Sequence, residues 1–388
     1  MPISASFARK SGGGRTEPEN MRVAFDQQVF LLQEYGGISR YVCSLASGLA
    51  KIPDVDVTIL APLHYNGHLD ELPGDLTWGW RVPRFPKTAR LVCSMSALLA
   101  RHAMRRFRPD IVHETYYSAN AFAPIGARRV ITVYDMIYER FPSEFSGGQL
   151  TAAKKIAVSR ADHVLCISES TRRDLIDILG IDADRVSVVY LGYDELPLPP
   201  LASGEPRLHA DTPPFLLYVG SRGGYKNFGS LLRSFASSSD VKNNFSIVCF
   251  GGGAFRSEEL SLMRELKLTD TQVRHLGGGD EVLARLYQQA AAFVCPSRYE
   301  GFGIPLLEAM SLGCPVICSN TSSIPEVVGD AGEYFDPGDP ESMCAAIESV
   351  LESRARRDEL VTKGYARCAL FSWTRCAKET LTIYRSLV

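Results

Sequence analysis

The chain has no run of 18 apolar residues and no N-terminal segment with a signal-peptide apolar core. That argues against a membrane-spanning helix and leads to the expectation of a cytoplasmic, reduced, non-spanning protein. An excess of one charge is also missing: 42 Lys and Arg against 44 Asp and Glu leave a formal net charge of -2. No global basic field invites nucleic acid, so a nucleic-acid partner is not expected. Ten cysteines are present but scattered, with no CxxC pair facing a second ligand pair. Buried free thiols are expected in place of a zinc site. No Gly-Lys-Ser/Thr closes a P-loop, and Gly251-Gly252-Gly253 is not a GxGxxG fingerprint followed by an acidic residue. Asp54-Val55-Asp56 and Asp182-Ala183-Asp184 spell an Asp-x-Asp metal motif but fall in turns. No metal and no cofactor are expected.

What is present is a regular alternation. At 388 residues the chain suits two domains. Short β-branched runs alternate with helix-period stretches from Met21 onward, the pattern of βα units around a parallel sheet. Residues 22–26, 55–60, 110–114, 129–135, 163–168 and 185–190 read as strands of a first domain over 21–194. Within it, Ile38, Tyr41, Val42, Leu45 and Leu49 share one face of a helix after a Gly36-Gly37 turn. Residues 1–20 lack periodicity and read as a disordered tail, and the proline-rich 195–211 as a linker. A second domain over 212–370 repeats the alternation, with strands at 215–220, 245–250, 273–277, 291–296 and 315–319. The tail 371–388 reads as a helix with Trp373, Ala377, Leu381 and Tyr384 on one face. Two doubly wound Rossmann-like domains would hold a ligand in a cleft at the carboxyl ends of their strands.

Two segments carry candidate chemistry. In 291–326, Glu300 and Glu308 flank Gly301-Phe302-Gly303-Ile304-Pro305 inside an apolar stretch. A helix starting near Ile304 would offer unpaired N–H groups to a phosphate, and Glu308, one turn in, could reach a ribose diol. Glu300, in the preceding loop, is placed to touch a transferred sugar. In 215–228, a buried strand runs into Gly220, then a glycine-rich turn with Arg222, Lys226 and Asn227 before a helix. Two cations beside backbone donors make a diphosphate clamp; the competing reading is two surface bases on a loop.

These residues together resemble the large retaining glycosyltransferase family that includes bacterial mannosyltransferases (glycosyl transferases group 1). The carriers are Gly36-Gly37, Gly220…Arg222…Lys226-Asn227 and Glu300-GFGIPLL-Glu308. The resemblance runs from Met21 over essentially the whole chain, and the GGISRYV, YKNF and FSW segments are closest to O-antigen and exopolysaccharide mannosyltransferases. It implies the α/β GT-B fold, with the last helix crossing back to the first domain. It also implies Arg222 and Lys226 on the diphosphate, Glu308 on the ribose, and Glu300 on the donor sugar. Gly220, Asn227, Gly301, Phe302, Gly303 and Ile304 would line the donor site. One departure stands out: the family commonly carries His where this chain has Tyr134, next to Asp135. Asp135 is then the first-domain carboxylate expected nearest the reacting sugar, with capping of the following turn as the rival explanation. His113, before Glu114, also resembles a family His-Glu, although a lone His at a strand end is more often structural.

The resulting expectation is a metal-independent retaining glycosyltransferase using a nucleotide-sugar donor, GDP-mannose first. Its acceptor would be a saccharide or lipid-linked saccharide bound by the first domain near Gly36, Gly37 and 134–145. With a lipid-linked acceptor, basic and aromatic residues around Trp78, Trp80, Arg81, Arg84 and 101–108 would supply a peripheral contact with the inner membrane, the rival reading being a solvated helix face and loop. Two rivals share the fold: a nucleotide-sugar epimerase or hydrolase, and a sugar-nucleotide-binding protein of weak activity.

Overall fold

A computed structural model of the chain describes residues 20–145, 148–197 and 213–388. The expected tail therefore lies outside the described residues except for Asn20, and the expected linker except for 195–197. The chain divides into two compact units: residues up to Gly192 together with Ser372–Val388, and Tyr193–Phe371.

The first unit is built on seven strands: β1 (Met21–Phe25), β2 (Val55–His64), β3 (Thr77–Arg81), β4 (Ile111–Glu114), β5 (Arg128–Val133), β6 (His163–Cys166) and β7 (Val186–Val188). They lie in the order β3-β2-β1-β4-β5-β6-β7, each neighbour parallel to the next. Val23, Ala24, Phe25, Ile111, Val112, Val130 and Ile131 are wholly buried. A parallel sheet covered on both faces needs such continuous apolar runs. Edge strand β3 was not anticipated, because TWGWR has no clean alternation and is only half-buried. Gly79 is required in it: a Cβ there would lie 1.7 Å from the Ala61 carbonyl oxygen.

The last helix, Trp373–Leu387, belongs to this unit and packs along the Gly37–Ala50 helix. Its apolar face buries Cys376, Ala377, Leu381 and Tyr384. Close approach is possible because Gly48 has no side chain: a Cβ there would sit 2.9 Å from that of Ala377.

The second unit holds six parallel strands: β8 (Phe215–Val219), β9 (Ser246–Phe250), β10 (Val273–Leu276), β11 (Ala292–Cys295), β12 (Val316–Ser319) and β13 (Gly332–Phe335). Their order is β10-β9-β8-β11-β12-β13. Leu216, Tyr218, Leu231, Phe235, Ile247 and Val294 form the centre of its core. Burying each such side chain contributes about 1.5–3 kcal/mol. In both sheets the chain starts near the middle, works outward to one edge, then crosses back. The reversal falls between β1 and β4 in the first sheet and between β8 and β11 in the second. Ligand sites of doubly wound sheets form beyond the strand ends at such a reversal.

Candidate active site

In the second unit the two candidate segments meet at the reversal point. Gly220 follows β8 and Ser297–Glu300 follow β11, its neighbour in the sheet. Gly220 takes a left-handed conformation, φ +114°, that lets the chain turn sharply out of the strand. The two loops are tied by the Arg298 amide, which donates to the Tyr225 carbonyl at 2.8 Å.

Lys226 and Glu300 lie 74 residues apart in sequence and form an ion pair here. The Lys226 ammonium donates to both Glu300 carboxylate oxygens, at 2.7 and 2.9 Å. Their side chains are 22% and 15% exposed, so the pair is largely but not wholly withdrawn from water. Burial by itself would pull the Lys226 pKa down; the facing Glu300 carboxylate outweighs it, and the net shift is upward. The Ser297 hydroxyl donates to Glu300 at 2.6 Å. Lys226 and Glu300 line a pocket of about 50 Å³ together with Tyr218, Cys295, Ser297, Gly303 and Pro305, among others. It has room for a few waters.

The Glu300 loop is held from behind by residues the sequence had not singled out. The Ser322 hydroxyl accepts from the Glu300 amide at 2.9 Å, and the Ser323 hydroxyl donates to the carbonyls of Glu300 and Phe302. Two adjacent serines after a strand look like an ordinary turn, so composition gave no cue. Phe302 turns its ring inward against Phe371, so only its backbone is left for a ligand. Gly301 is likewise buried. Gly303, at φ +105°, starts the Ile304–Ser311 helix with no side chain capping its first amides. Those amides and the positive end of the helix dipole suit a phosphate. Glu308 is buried on this helix, and its carboxylate accepts from the Tyr287 hydroxyl at 3.2 Å.

Arg222 departs from the expected clamp. Its side chain is 1% exposed and every donor group is engaged by protein. It donates to the carbonyls of Gly251 (3.0 Å), Gly253 (2.7 Å) and Ala254 (2.9 Å) and to the Glu259 carboxylate (3.2 Å). The guanidinium fastens the turn after β9, where three successive left-handed glycines, Gly251 to Gly253, curl the chain so that the Gly251, Gly253 and Ala254 carbonyls face it. Asn227 is also occupied: its amide donates to the Pro337 carbonyl and its oxygen accepts from Ser230.

In the first unit, Gly36 and Gly37 open the Gly37–Ala50 helix, and open space surrounds the Gly37 Cα. Gln33 accepts from the Ser39 amide at 3.1 Å, taking the place of a capping side chain. His113 is corrected to a structural residue. It is buried, with Nδ1 2.5 Å from the Tyr384 hydroxyl and Nε2 2.8 Å from that of Thr132, which also meets Tyr41. Burial holds its pKa down near 3, so the ring is neutral. Tyr134 is buried too, and its hydroxyl donates to the Thr115 carbonyl at 3.0 Å. Asp135 is half-buried; one oxygen accepts from the Ile137 amide at 3.0 Å, the capping role weighed for it above.

Two buried carboxylates sit at the first sheet's reversal: Asp26, which the sequence reading did not single out, and Glu114, noted there only beside His113. Asp26, beyond β1, accepts from the Thr115 hydroxyl (2.6 Å) and amide (3.0 Å) and from Gln28. Burial raises its pKa, with these hydrogen bonds opposing. Glu114 pairs with Arg160 at 2.5 and 3.2 Å, and burial still pushes it up to about 7. Neither Asp-x-Asp spelling forms a metal pair: Asp54 precedes β2 and Asp56 lies within that strand, while Asp182 caps the Asp184 amide in a surface turn. Among the described residues no group of three or more His, Cys, Asp or Glu could hold a metal ion.

Comparison with known proteins bears on the family and the fold. The family described as Glycosyl transferases group 1 matches residues 204–367, and Glycosyltransferase Family 4 matches 35–195. The O-antigen chain mannosyltransferase B of Escherichia coli is 28% identical over 90% of this chain and 96% of its own length. The sucrose-phosphate synthase of Thermosynechococcus elongatus superposes with a TM-score of 0.72 at 20% identity, over 95% of this chain and 99% of that one. The Anabaena protein HepE, solved with UDP and glucose, gives 0.71 at 18% identity, over 95% and 100%. With two Rossmann-like sheets, matches to both families over most of its length and mannosyltransferase relatives, the chain belongs to the group 1 glycosyltransferases of GT-B fold.

Proposed function

We propose that the chain transfers mannose from GDP-mannose to a saccharide or lipid-linked saccharide acceptor, with retention of anomeric configuration, in bacterial surface polysaccharide synthesis. The observation that carries this reading is the Lys226–Glu300 pair beside the uncapped start of the Ile304–Ser311 helix. A cation and a helix N-terminus side by side supply the counter-charge that a departing nucleoside diphosphate needs, without a metal ion. Glu308, one turn further, takes the ribose hydroxyls. When the diphosphate engages Lys226, Glu300 is released to the sugar. The first unit, with Gly36, Gly37 and the Asp135 loop, receives the acceptor. Among the described residues no side chain is set apart as a nucleophile on the donor, so attack comes from the face the phosphate leaves, and the phosphate takes the acceptor's proton. Mannose is favoured because the E. coli relative that matches nearly end to end is an O-antigen chain mannosyltransferase. Such a reaction belongs in the cytoplasm, at the inner face of the membrane.

The test is turnover on a panel of GDP-, UDP- and dTDP-sugars with and without EDTA, followed by NMR of the product. GDP-mannose turnover that survives EDTA and gives an α-linked product supports the proposal. A product with inverted configuration, or free sugar as the sole product with every acceptor, defeats it.

A further inference from the structure

The helix Ala89–Phe107 is amphipathic toward the core and apolar again on the far side. Ser96, Ala100, Ala103, Met104 and Phe107 are buried against the first sheet. Leu91, Met95 and Leu98 point the other way and are 62%, 47% and 69% exposed. At 100° per residue these three fall within a sector of roughly 60°, opposite the buried face. Single exposed apolar residues are ordinary, but a stripe along two turns of one helix is not. Trp80 and Phe85, in the segment leading to the helix, are equally exposed. The loop carrying fully exposed Ile125 adjoins the same helix, since Arg101 lies over the Phe122 ring at 5.6 Å.

The charge around this stripe has one sign. Residues 76–109 contain eight Lys or Arg and no Asp or Glu. Two of the eight are engaged elsewhere: Arg81 pairs with Asp70 and Glu34, and Arg84 donates to the Leu32 carbonyl. Lys87, Arg90, Arg101, Arg105, Arg106 and Arg108 have no carboxylate partner among the described residues. A favourable helix dipole accounts for Arg105 and Arg106 in the last turn, but not for the apolar stripe between the cations.

We propose that this helix lies along an anionic lipid surface, with Leu91, Met95 and Leu98 below the headgroups and the flanking arginines on lipid phosphates. The occupant follows from complementarity. A second copy meeting this face symmetrically would set six unpaired cations against six. A nucleic acid would satisfy the cations and leave the leucines against water. Only an anionic bilayer answers both the charge and the apolar stripe. The contact is superficial: among the described residues no helix is long and apolar enough to cross a membrane. The inference does not depend on which sugar the protein transfers.

The experiment is flotation of the full chain with vesicles of phosphatidylcholine alone, or with about one third phosphatidylglycerol, at low and high salt. Flotation with the anionic vesicles at low salt, weakened by high salt and absent with neutral vesicles, is expected. Each cation near such a surface is worth about fivefold in partition, so combined Arg101→Glu, Arg105→Glu and Arg106→Glu lowers it by about a hundredfold or more. Leu91→Ser with Leu98→Ser lowers it by at least about tenfold. All five positions are exposed, and unchanged thermal melting of the variants confirms intact folding. No flotation at low salt, or flotation indifferent to both sets of changes, overturns the proposal. So does concentration-dependent self-association abolished by the Leu98 change, or tighter binding to DNA than to anionic vesicles.

Discussion

Replacing Glu300 by Gln isolates what the Lys226–Glu300 pair does before and after the donor arrives. The Lys226 ammonium is held by both Glu300 carboxylate oxygens at 2.7 and 2.9 Å. A diphosphate that binds Lys226 must compete with that carboxylate, and part of its binding energy goes to breaking the pair. Solvent-exposed pairs are worth up to about 1 kcal/mol, and losing one partner of a fully buried pair costs about 3–5 kcal/mol. With side chains 22% and 15% exposed, this pair falls between those limits, at about 1–2 kcal/mol. Glu300→Gln removes the competitor and keeps the shape, so GDP should bind about five- to thirtyfold more tightly by calorimetry. The same change should lower kcat by at least about a hundredfold, because the carboxylate's contact with the sugar strengthens as positive charge builds on the ring. Tighter product and slower chemistry from one substitution is an unusual combination, and a general loss of structure cannot imitate it. A tenfold loss of GDP affinity in Glu300→Gln would refute the reasoning, since Glu300 would then be a nucleotide ligand.

Glu308→Gln should behave oppositely, weakening GDP and whole donor alike by about 1–3 kcal/mol in calorimetry, because a ribose contact persists in every bound state. Arg222→Met should act mainly on stability: the Gly253 and Ala254 carbonyls lose their Arg222 donor while Glu259 keeps Arg256, and chemical denaturation should show a loss of about 2–4 kcal/mol. Near-native stability with lost GDP binding would restore Arg222 as a phosphate ligand. His113 predicts acid sensitivity. Its folded pKa is depressed to about 3 by burial, so its contribution is full above the unfolded value near 6.5 and is lost as pH falls toward 3. By pH 5 the loss is about 2 kcal/mol, and His113→Gln should flatten the denaturation-derived stability profile over that window.

Much of the fold was readable because parallel strands buried on both faces announce themselves as apolar runs, and 215–219 and 292–295 are plain cases. Strand β3 was not, since an edge strand with Gly79 and two tryptophans has no periodicity to read. The Pro340–Glu352 and Arg354–Cys368 helices were also passed over; the second has a mostly polar surface, with only Leu360, Gly364 and Cys368 buried. For the site, residue types and spacings drew attention to both glutamates and both cations, but direction is a property of packing. A sequence says that Arg222 follows a strand; only the left-handed turn at 251–253 decides that its guanidinium points inward. The same holds for His113, whose partner Tyr384 comes from 271 residues away. Asp26 and Thr115, 89 residues apart, gave no local signal at all.

The Trp373–Leu387 helix makes the first unit a discontinuous object along the chain. Tyr384 closes onto His113, and Ala377 fills the space opposite Gly48, only after the whole intervening unit has been made. During synthesis, domains generally fold in order as they emerge. Here the earlier one must wait, its Gly37–Ala50 helix uncovered and the His113 ring lacking a partner, until the ribosome has finished its neighbour. The second unit, continuous from Tyr193 to Phe371, has no such dependence and can be native first. A chain stopped at Phe371 would thus carry an intact second unit and an unfinished first one, and a synthetic 372–388 peptide added in trans should bind the gap it leaves.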